Sequence, residues 1–406
     1  MKVLQINCVN KYGSTGRIVS QISDYITSKN VDNMVAYGVP RVDCDNGFVI
    51  NSKLDAHIHS FLSRKLCRQG LASRMPTKRL IRFIKKYDPD IIHLHNIHGH
   101  YLNYKLLFKF LSSSRAKIVW TLHDCWSMTG KCAHFTKVGC YKWASEEGCN
   151  NCPQLNTYPD STRDRSQKNF RDKKNSFTSV KNLTIATVSN WLKSVCQRSY
   201  LKDSNIVCIH NGVNTDVFKP VMDTDIKEKY GLQGYKIVIG VSNIWNGEKG
   251  EDQFVELSKL LPENYRVVLV GRGSDNVAQR SNKIIGIPQT NSQRELAELY
   301  SMADAFVSSS IEESFSLVKF EAMACGTPAI VYNSTSLPEA MADGCGYLVD
   351  VGDVKKMAEY AQYCAENKEQ FSEKCVSVVR SNYTIEHMCD RYYNLYLELN
   401  GEKNGN

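Results

Sequence analysis

Short apolar runs bounded by turn-forming residues recur along the chain. Between them lie stretches in which apolar residues return every three or four positions. The runs Val3-Leu-Gln-Ile-Asn7, Met34-Val-Ala-Tyr37, Ile91-Ile-His-Leu-His95, Ile118-Val-Trp-Thr-Leu122 and Leu183-Thr-Ile-Ala-Thr187 read as strands, and Arg17–Lys29 and Thr77–Lys86 as helices. The alternation resumes with Ile237-Val-Ile-Gly-Val241, Arg266-Val-Val-Leu-Val270, Ala305-Phe-Val307 and Ala329-Ile-Val331. Strands apolar along their whole length are buried on both faces, which predicts parallel sheets with helices on either side. The pattern runs twice, with a turn-rich break at His210–Pro220. A chain of 406 residues suits two such α/β domains. Ligands of open parallel sheets bind beyond the carboxyl ends of the strands, so two domains face to face would enclose a cleft.

Composition changes this picture little, but charge does. Residues 1–200 hold 31 Lys and Arg against 13 Asp and Glu, a balance of +18, and the rest of the chain carries −9. A basic half joined to an acidic half points to different partners for each: nucleic acid, anionic lipid or a phosphorylated acceptor for the first. No run of about 18 apolar residues is present to span a bilayer, and the start at Met1-Lys-Val-Leu lacks a signal-peptide core, so a cytoplasmic setting is expected. The fifteen cysteines are odd in number and mostly scattered, as in Cys8, Cys208 and Cys325, which suits buried thiols in a reducing compartment.

The densest chemistry lies in Ile311-Glu-Glu-Ser-Phe-Ser-Leu-Val-Lys-Phe-Glu-Ala-Met-Ala-Cys-Gly-Thr-Pro328. Glu313 and Glu321 flank a helical pattern that stops at Gly326-Thr-Pro328. A helix start offers free backbone N–H groups and a positive dipole end to a diphosphate. A helical path between the two carboxylates would separate their Cα atoms by about 12 Å along the axis. That spacing lets one carboxylate meet a sugar and the other a ribose.

This motif resembles that of the retaining, two-domain (GT-B) glycosyltransferases of the bacterial capsule, O-antigen and colanic-acid type (group 1, family four), and the resemblance runs from about residue 1 to 395. It implies two Rossmann-like domains: an N-terminal acceptor-side domain over 1–205 with a Cys-rich insert at 130–155, and a nucleotide-sugar domain over 206–380. A C-terminal helix over 381–400 is expected to return to the first domain. By the same resemblance Glu313 contacts donor-sugar hydroxyls, Glu321 the nucleotide ribose, and the backbone N–H groups of Ser314, Phe315, Ser316 and Leu317 the sugar and phosphates. His210-Asn-Gly-Val-Asn-Thr-Asp-Val-Phe-Lys-Pro220 resembles the turn that opens the donor domain, with Asn214 where Asp is commoner. Glu248-Lys-Gly250 resembles the end of a donor-phosphate loop, which makes Lys249 the neutraliser of the leaving diphosphate. The arginine that often accompanies this lysine is missing from Val241–Lys249.

The loop Asn10-Lys-Tyr-Gly-Ser-Thr-Gly-Arg17 follows the first strand, and Gly13 and Gly16 would let its backbone approach a phosphate or acceptor. Neither it nor Val270-Gly-Arg-Gly-Ser274 makes a dinucleotide fingerprint. Thr121-Leu-His-Asp124 ends a strand and matches the family's His-Asp position near the anomeric carbon, so His123 is the candidate for positioning acceptor or sugar hydroxyls. His95, at the adjacent strand end, is the second candidate. Retaining transfer in the family is described as front-face attack with the leaving phosphate taking the proton, and no catalytic metal is expected. The donor would be a UDP- or GDP-sugar and the acceptor a polysaccharide or lipid-linked saccharide. Asp88-Pro-Asp90 precedes a strand and reads as a turn, not a metal-binding pair.

Cys132, Cys140, Cys149 and Cys152, with His134 nearby, form the one cysteine cluster; the Cys149–Cys152 spacing suits half of a structural zinc site, and free thiols are the other reading. From Ser63 to Lys86 nine basic residues occur with no acid: Arg64, Lys65, Arg68, Arg74, Lys78, Arg79, Arg82, Lys85 and Lys86. Leu62, Leu66, Leu80, Phe83 and Ile84 are interleaved. Such a stretch fits an anionic membrane surface at the inner face, or two helices with solvated basic faces. The alternatives kept beside glycosyl transfer are a nucleotide-sugar epimerase of the same fold and a non-enzymatic basic nucleic-acid-binding protein; no recognisable DNA or RNA module is present, so no nucleic-acid partner is expected.

Overall fold

The computed structural model describes residues 1–39, 47–222, 224–247, 249–341 and 344–401. Its contacts divide the chain into two units, Met1–His210 with Met388–Asn406, and Asn211–His387.

The first unit is built on seven strands: β1 (Lys2–Asn7), β2 (Asp32–Tyr37), β3 (Gly47–Val49), β4 (Ile91–Leu94), β5 (Lys117–Leu122), β6 (Leu183–Thr187) and β7 (Asn205–Cys208). They pair in the order β3-β2-β1-β4-β5-β6-β7, every pair parallel. The helices are α1 (Gly13–Ser28), α2 (Lys53–Leu66), α3 (Arg74–Tyr87), α4 (Tyr104–Leu111), α5 (Ser166–Phe177) and α6 (Asn190–Gln197). Every residue of β4 and β6 is buried, as a sheet covered on both faces requires. An aromatic core of Tyr104, Phe108, Trp120, Trp126 and Phe177 packs beside β5.

The second unit carries α7 (Ile226–Lys229), β8 (Lys236–Ile244), α8 (Glu251–Leu260), β9 (Tyr265–Arg272), α9 (Ser274–Ala278), β10 (Ile284–Ile287), α10 (Gln293–Met302), β11 (Ala305–Ser308), α11 (Leu317–Ala324), β12 (Ala329–Tyr332), β13 (Gly346–Val349), α12 (Val354–Glu366) and α13 (Lys368–Asn382). Its strands run β10-β9-β8-β11-β12-β13, again all parallel. The last helix, α14 (Ile385–Asn400), carries the chain into the first unit, where Tyr392 and Tyr396 are buried. In both sheets the winding reverses direction beside the first strand, between β1 and β4 and between β8 and β11. These are the switch points at which doubly wound sheets open a crevice.

Two local expectations need correction. The helix after β1 begins at Gly13, so Gly13-Ser-Thr-Gly16 is its first turn and not an open loop. The segment from Glu313 to Ser316 is not helical: α11 starts at Leu317, and Ser316 before it has φ +65°. The axial spacing of Glu313 and Glu321 on one helix therefore does not apply.

Candidate active site

In the second unit the candidates gather at the β8/β11 switch point. The loop after β8 ends in Gly250, whose φ of +81° brings its bare Cα so close to Ser309 that a Cβ would lie 2.1 Å from Ser309 Oγ. That hydroxyl donates to the carbonyl of Lys249 at 3.0 Å, tying the loop after β8 to the end of β11. Glu251, buried at the start of α8, accepts from the N–H of Gly247 (2.7 Å) and of Lys249 (3.2 Å). Lys249 is thus held from both sides, and its Nζ lies 2.8 Å from Glu313 Oε1. Glu248 lies outside the described residues.

Glu313 is held by its backbone. Its N–H donates to Thr335 Oγ1 at 3.1 Å, and Ser336 Oγ donates to its carbonyl at 2.8 Å. The segment supplying those hydroxyls is gripped by Lys319, a fully buried residue of α11 whose ammonium donates to the carbonyls of Leu337 (2.9 Å) and Glu339 (2.6 Å). Burial drives the Lys319 pKa down to about 7, against the pull of Glu339, Cys345 and Glu313. Phe315 is buried and stacked on Phe320 with centroids 4.6 Å apart, so this part of the loop has its backbone and not its side chain to offer. Glu321 accepts from the hydroxyl of buried Tyr300 at 3.4 Å. Next to Lys249 a cavity of about 250 Å³ is lined by Trp245, Gly247, Gly250, Glu251, Gly273 and Arg280. Asn214 caps its turn by accepting the Asp216 N–H at 3.1 Å.

In the first unit the strand ends β1, β4 and β5 bring histidines together. Gln5 donates through Nε2 to the Val19 carbonyl (3.1 Å), which turns its amide oxygen to His95 Nε2 (3.1 Å). An amide oxygen only accepts, so neutral His95 carries its proton on Nε2 and offers Nδ1. His123 Nε2 lies 3.2 Å from that Nδ1 and must donate to it, which leaves His123 with an unprotonated Nδ1. Burial lowers the pKa of His123 to about 4, with Asp124 opposing and His98 adding to the shift. Burial also takes His93 to about 3 and His95 well below its ordinary value. His93 is held by Tyr396 and Thr121 at 2.5 and 2.7 Å. Burial alone would raise Asp124, but His98, 2.9 Å away, and the Trp126 N–H hold its carboxyl at about 2. Gly16 is turned towards its own chain: a Cβ there would sit 3.2 Å from Val9 Cγ2. It shapes the loop after β1.

The cysteine insert does not gather its described thiols into a metal-binding group. Cys132, Cys140, Cys149 and Cys152 lie within electrostatic reach of one another, and burial pushes Cys132 up to about 11 and Cys149 up to about 12. Yet among the described residues no three His, Cys, Asp or Glu side chains are grouped to hold a metal ion. The four thiols are thus not gathered at one centre for the zinc expected there; Cys149 Sγ accepts the Gly130 N–H at 3.2 Å, and lysines bridge carbonyls in and beside the insert. The Lys173 ammonium, fully buried, joins the carbonyls of Trp126 (2.6 Å) and Thr129 (3.0 Å), and Lys131 joins those of Gln154 and Thr157.

Sequence reasoning did not single out Gln5, His98, Glu251 or Lys319. Lys319 left a signal, the one basic residue in the largely apolar run Leu317–Ala324. Gln5 left a weaker one, a polar residue between Leu4 and Ile6 in a strand buried from Val3 onward.

The comparisons with known proteins give the family and the fold. Residues 19–217 match the family described as Glycosyltransferase Family 4, and residues 222–380 match Glycosyl transferases group 1. The chain belongs to this glycosyltransferase family. It is therefore an enzyme of glycosyl transfer with the GT-B fold, and the reading as a non-enzymatic nucleic-acid-binding protein falls. Among its relatives is WcaC of Escherichia coli (strain K12), named for colanic acid biosynthesis glycosyl transfer, 26% identical over 77% of each chain. Another is the N-acetyl-alpha-D-glucosaminyl L-malate synthase of Bacillus anthracis, 27% identical over 54% of this chain and 61% of that one. Similar solved structures include Anabaena HepE in complex with UDP (TM-score 0.68, 13% identity, 98% of this chain and 100% of that one). Sucrose-phosphate synthase of Thermosynechococcus elongatus gives a TM-score of 0.69 at 16% identity over 98% of each chain.

Proposed function

We propose that this glycosyltransferase is a retaining enzyme that moves a hexose or related sugar from a UDP- or GDP-sugar to a saccharide or lipid-linked saccharide in polysaccharide assembly. The observation that carries the reading is the contact of Lys249 Nζ with Glu313 Oε1 at 2.8 Å. A cation suited to a diphosphate and a carboxylate suited to sugar hydroxyls stand side by side at a switch point, the usual ligand position of such sheets. In this reading Lys249 stabilises the leaving diphosphate, Glu313 orients the donor sugar, and Glu321 accepts a hydrogen bond from the ribose. The backbone N–H groups of Ser314 to Leu317 face the sugar and phosphates, which the buried side chain of Phe315 favours. His123 accepts a hydroxyl proton of acceptor or sugar in a hydrogen bond through Nδ1, and Gly16 keeps the loop after β1 in shape. HepE in its UDP and UDP-glucose complexes supports a nucleotide-sugar donor, and the name of WcaC supports a polysaccharide product.

The setting proposed is cytoplasmic, peripheral at the inner face of the membrane. The thiols of Cys67, Cys132, Cys149, Cys196, Cys325, Cys364, Cys375 and Cys389 are buried and not joined in disulfides, in keeping with a reducing compartment. Among those residues no helix is long and apolar enough to cross a membrane, and α3 exposes Arg74, Lys78, Arg82, Lys85 and Lys86.

Calorimetry with UDP and GDP tests the donor site. Glu321→Ala is expected to lose about 1.5–3 kcal/mol of nucleotide affinity, the worth of a charged hydrogen bond. Unchanged affinity for both nucleotides in the folded variant removes Glu321 from the site. Product analysis by NMR reads retention from the anomeric configuration, and free sugar released without acceptor would favour the epimerase.

A further inference from the structure

Helix α2 carries its apolar side outward. Its buried residues are polar, His59 and Ser63, while Leu54, Ile58 and Phe61 are 73, 51 and 61% exposed. Steps of four and three residues place those three on one stripe. The inner face is docked by hydrogen bonds: His59 Nδ1 lies 2.8 Å from Ser73 Oγ, and Ser63 Oγ lies 3.2 Å from His100 Nδ1. The polar residues therefore have partners within the unit, and the apolar ones face outward. Single exposed apolar residues are ordinary, but an aligned stripe on a helix that hides its polar side is not.

Charge surrounds the stripe. Arg64 and Lys65 are exposed on the next turn of the same face. The bond from His59 to Ser73 sets the start of α3 against the middle of α2, and α3 opens with exposed Arg74, Met75 and Lys78. The acids nearby are Asp55 in the first turn and Asp160, 3.5 Å from Arg64. A second copy seated on this face in a two-fold pair would bring like charges together. An anionic bilayer offers apolar depth for the stripe and phosphates for its cations.

We infer that α2 lies in the head-group layer of an anionic phospholipid membrane, with Leu54, Ile58 and Phe61 inserted and the surrounding Lys and Arg on lipid phosphates. This rests on the inner-face setting proposed above. It differs from attraction to the basic stretch alone in one respect: part of the binding survives salt, because only the charge is screened. Arg79 does not belong to the lipid face, since its guanidinium donates to the carbonyls of Val49 and Ile50 at 2.8 Å.

Vesicle co-sedimentation of the full chain decides the matter, using phosphatidylcholine with and without phosphatidylglycerol at low and high salt. Light scattering is run alongside to read oligomeric state. The wild type is expected to bind anionic vesicles and to keep a measurable fraction bound at high salt. Leu54→Gln/Ile58→Gln/Phe61→Gln should lower partitioning at least about tenfold at every salt, as loss of buried apolar area requires. Lys78→Gln/Arg82→Gln/Lys85→Gln/Lys86→Gln should lose only the preference for anionic lipid. All these residues are exposed, and circular dichroism confirms the fold of each variant. If the wild type ignores both vesicles, the inner-face setting falls together with this inference, while glycosyl transfer stands. If the stripe variant binds as the wild type does, only the role of α2 falls. If the stripe variant instead dissociates a dimer and leaves vesicle binding unchanged, the stripe faces a second copy, and the inference is overturned.

Discussion

Lys249 and Glu313 form one ion pair, so neither can be changed without altering the other. A diphosphate must compete with Glu313 for the lysine. Glu313→Gln is therefore expected to leave nucleoside-diphosphate affinity unchanged or raised, while transfer falls on the order of a hundredfold through loss of sugar orientation. Equal losses in calorimetry and turnover would contradict the division of roles. A second prediction concerns a proton. The Gln5–His95–His123 series places the His123 proton on Nε2. Imidazole nitrogen NMR should find that tautomer in the wild type and a mixture in Gln5→Leu, with kcat lowered and donor KM kept. A wild-type His123 protonated on Nδ1 would overturn the assignment even if the variant failed to fold.

The helix α11 does more than carry Glu321. Through Lys319 it grips the segment whose Thr335 and Ser336 hold the backbone of Glu313. Lys319→Met should loosen that segment and reduce transfer about tenfold, the cost of a misplaced catalytic group being of that order or more. It also has a pH signature. The folded pKa lies near 7, far below the ordinary lysine value, so across alkaline pH the unfolded chain holds a proton that the folded chain has released. Stability contributed by this residue thus rises with pH above about 7 and is lost as pH falls through that value. The variant should flatten this slope in the melting of the second unit, and an unaltered slope would show that Lys319 does not titrate there. At the same scale the sequence was unevenly legible. The nine strands expected from apolar runs are all interior strands; β3, β7, β10 and β13, which left no such run, are the four sheet edges. An edge strand is shorter and partly exposed, as the residues of β7 are, and so loses the apolar continuity that marks an interior one. The chemistry of the motif from Ile311 was readable, but the helix start was not, because Ser316 in a left-handed conformation leaves no sign in local composition.

The two units respond differently to acid. His59, His93, His95 and His123 all lie in the first unit, and burial takes their pKa values to about 3, about 3, well below normal and about 4. In the unfolded chain they titrate near 6.5. Their contribution to stability is complete above that value and drains away as pH falls towards the folded values, at up to about 1.4 kcal/mol per pH unit for each histidine. The second unit has only the exposed His387. Calorimetry between pH 7 and 5 should show the first unit's transition falling steeply while the second's stays nearly level. Parallel shifts of both would mean that these histidines are not buried in their neutral form.

The second unit also closes on itself where the chain enters and leaves it. The Val213 N–H donates to the Tyr383 carbonyl at 2.7 Å, and the Ile385 N–H returns to Val213 at 3.1 Å. A Cβ on Gly212 would lie 2.4 Å from the Ile385 Cα, so only glycine lets the two passing strands touch. Residues 211–387 are in this sense a cassette, inserted into the first unit through a neck two strands wide. Such a cassette could be exchanged for its counterpart from a relative by joining within the neck, after β7 and at Thr384 just ahead of α14, so that no strand or helix is cut. On the division of roles proposed above, the chimera should take on the nucleotide and sugar preference of the incoming cassette while keeping its own acceptor.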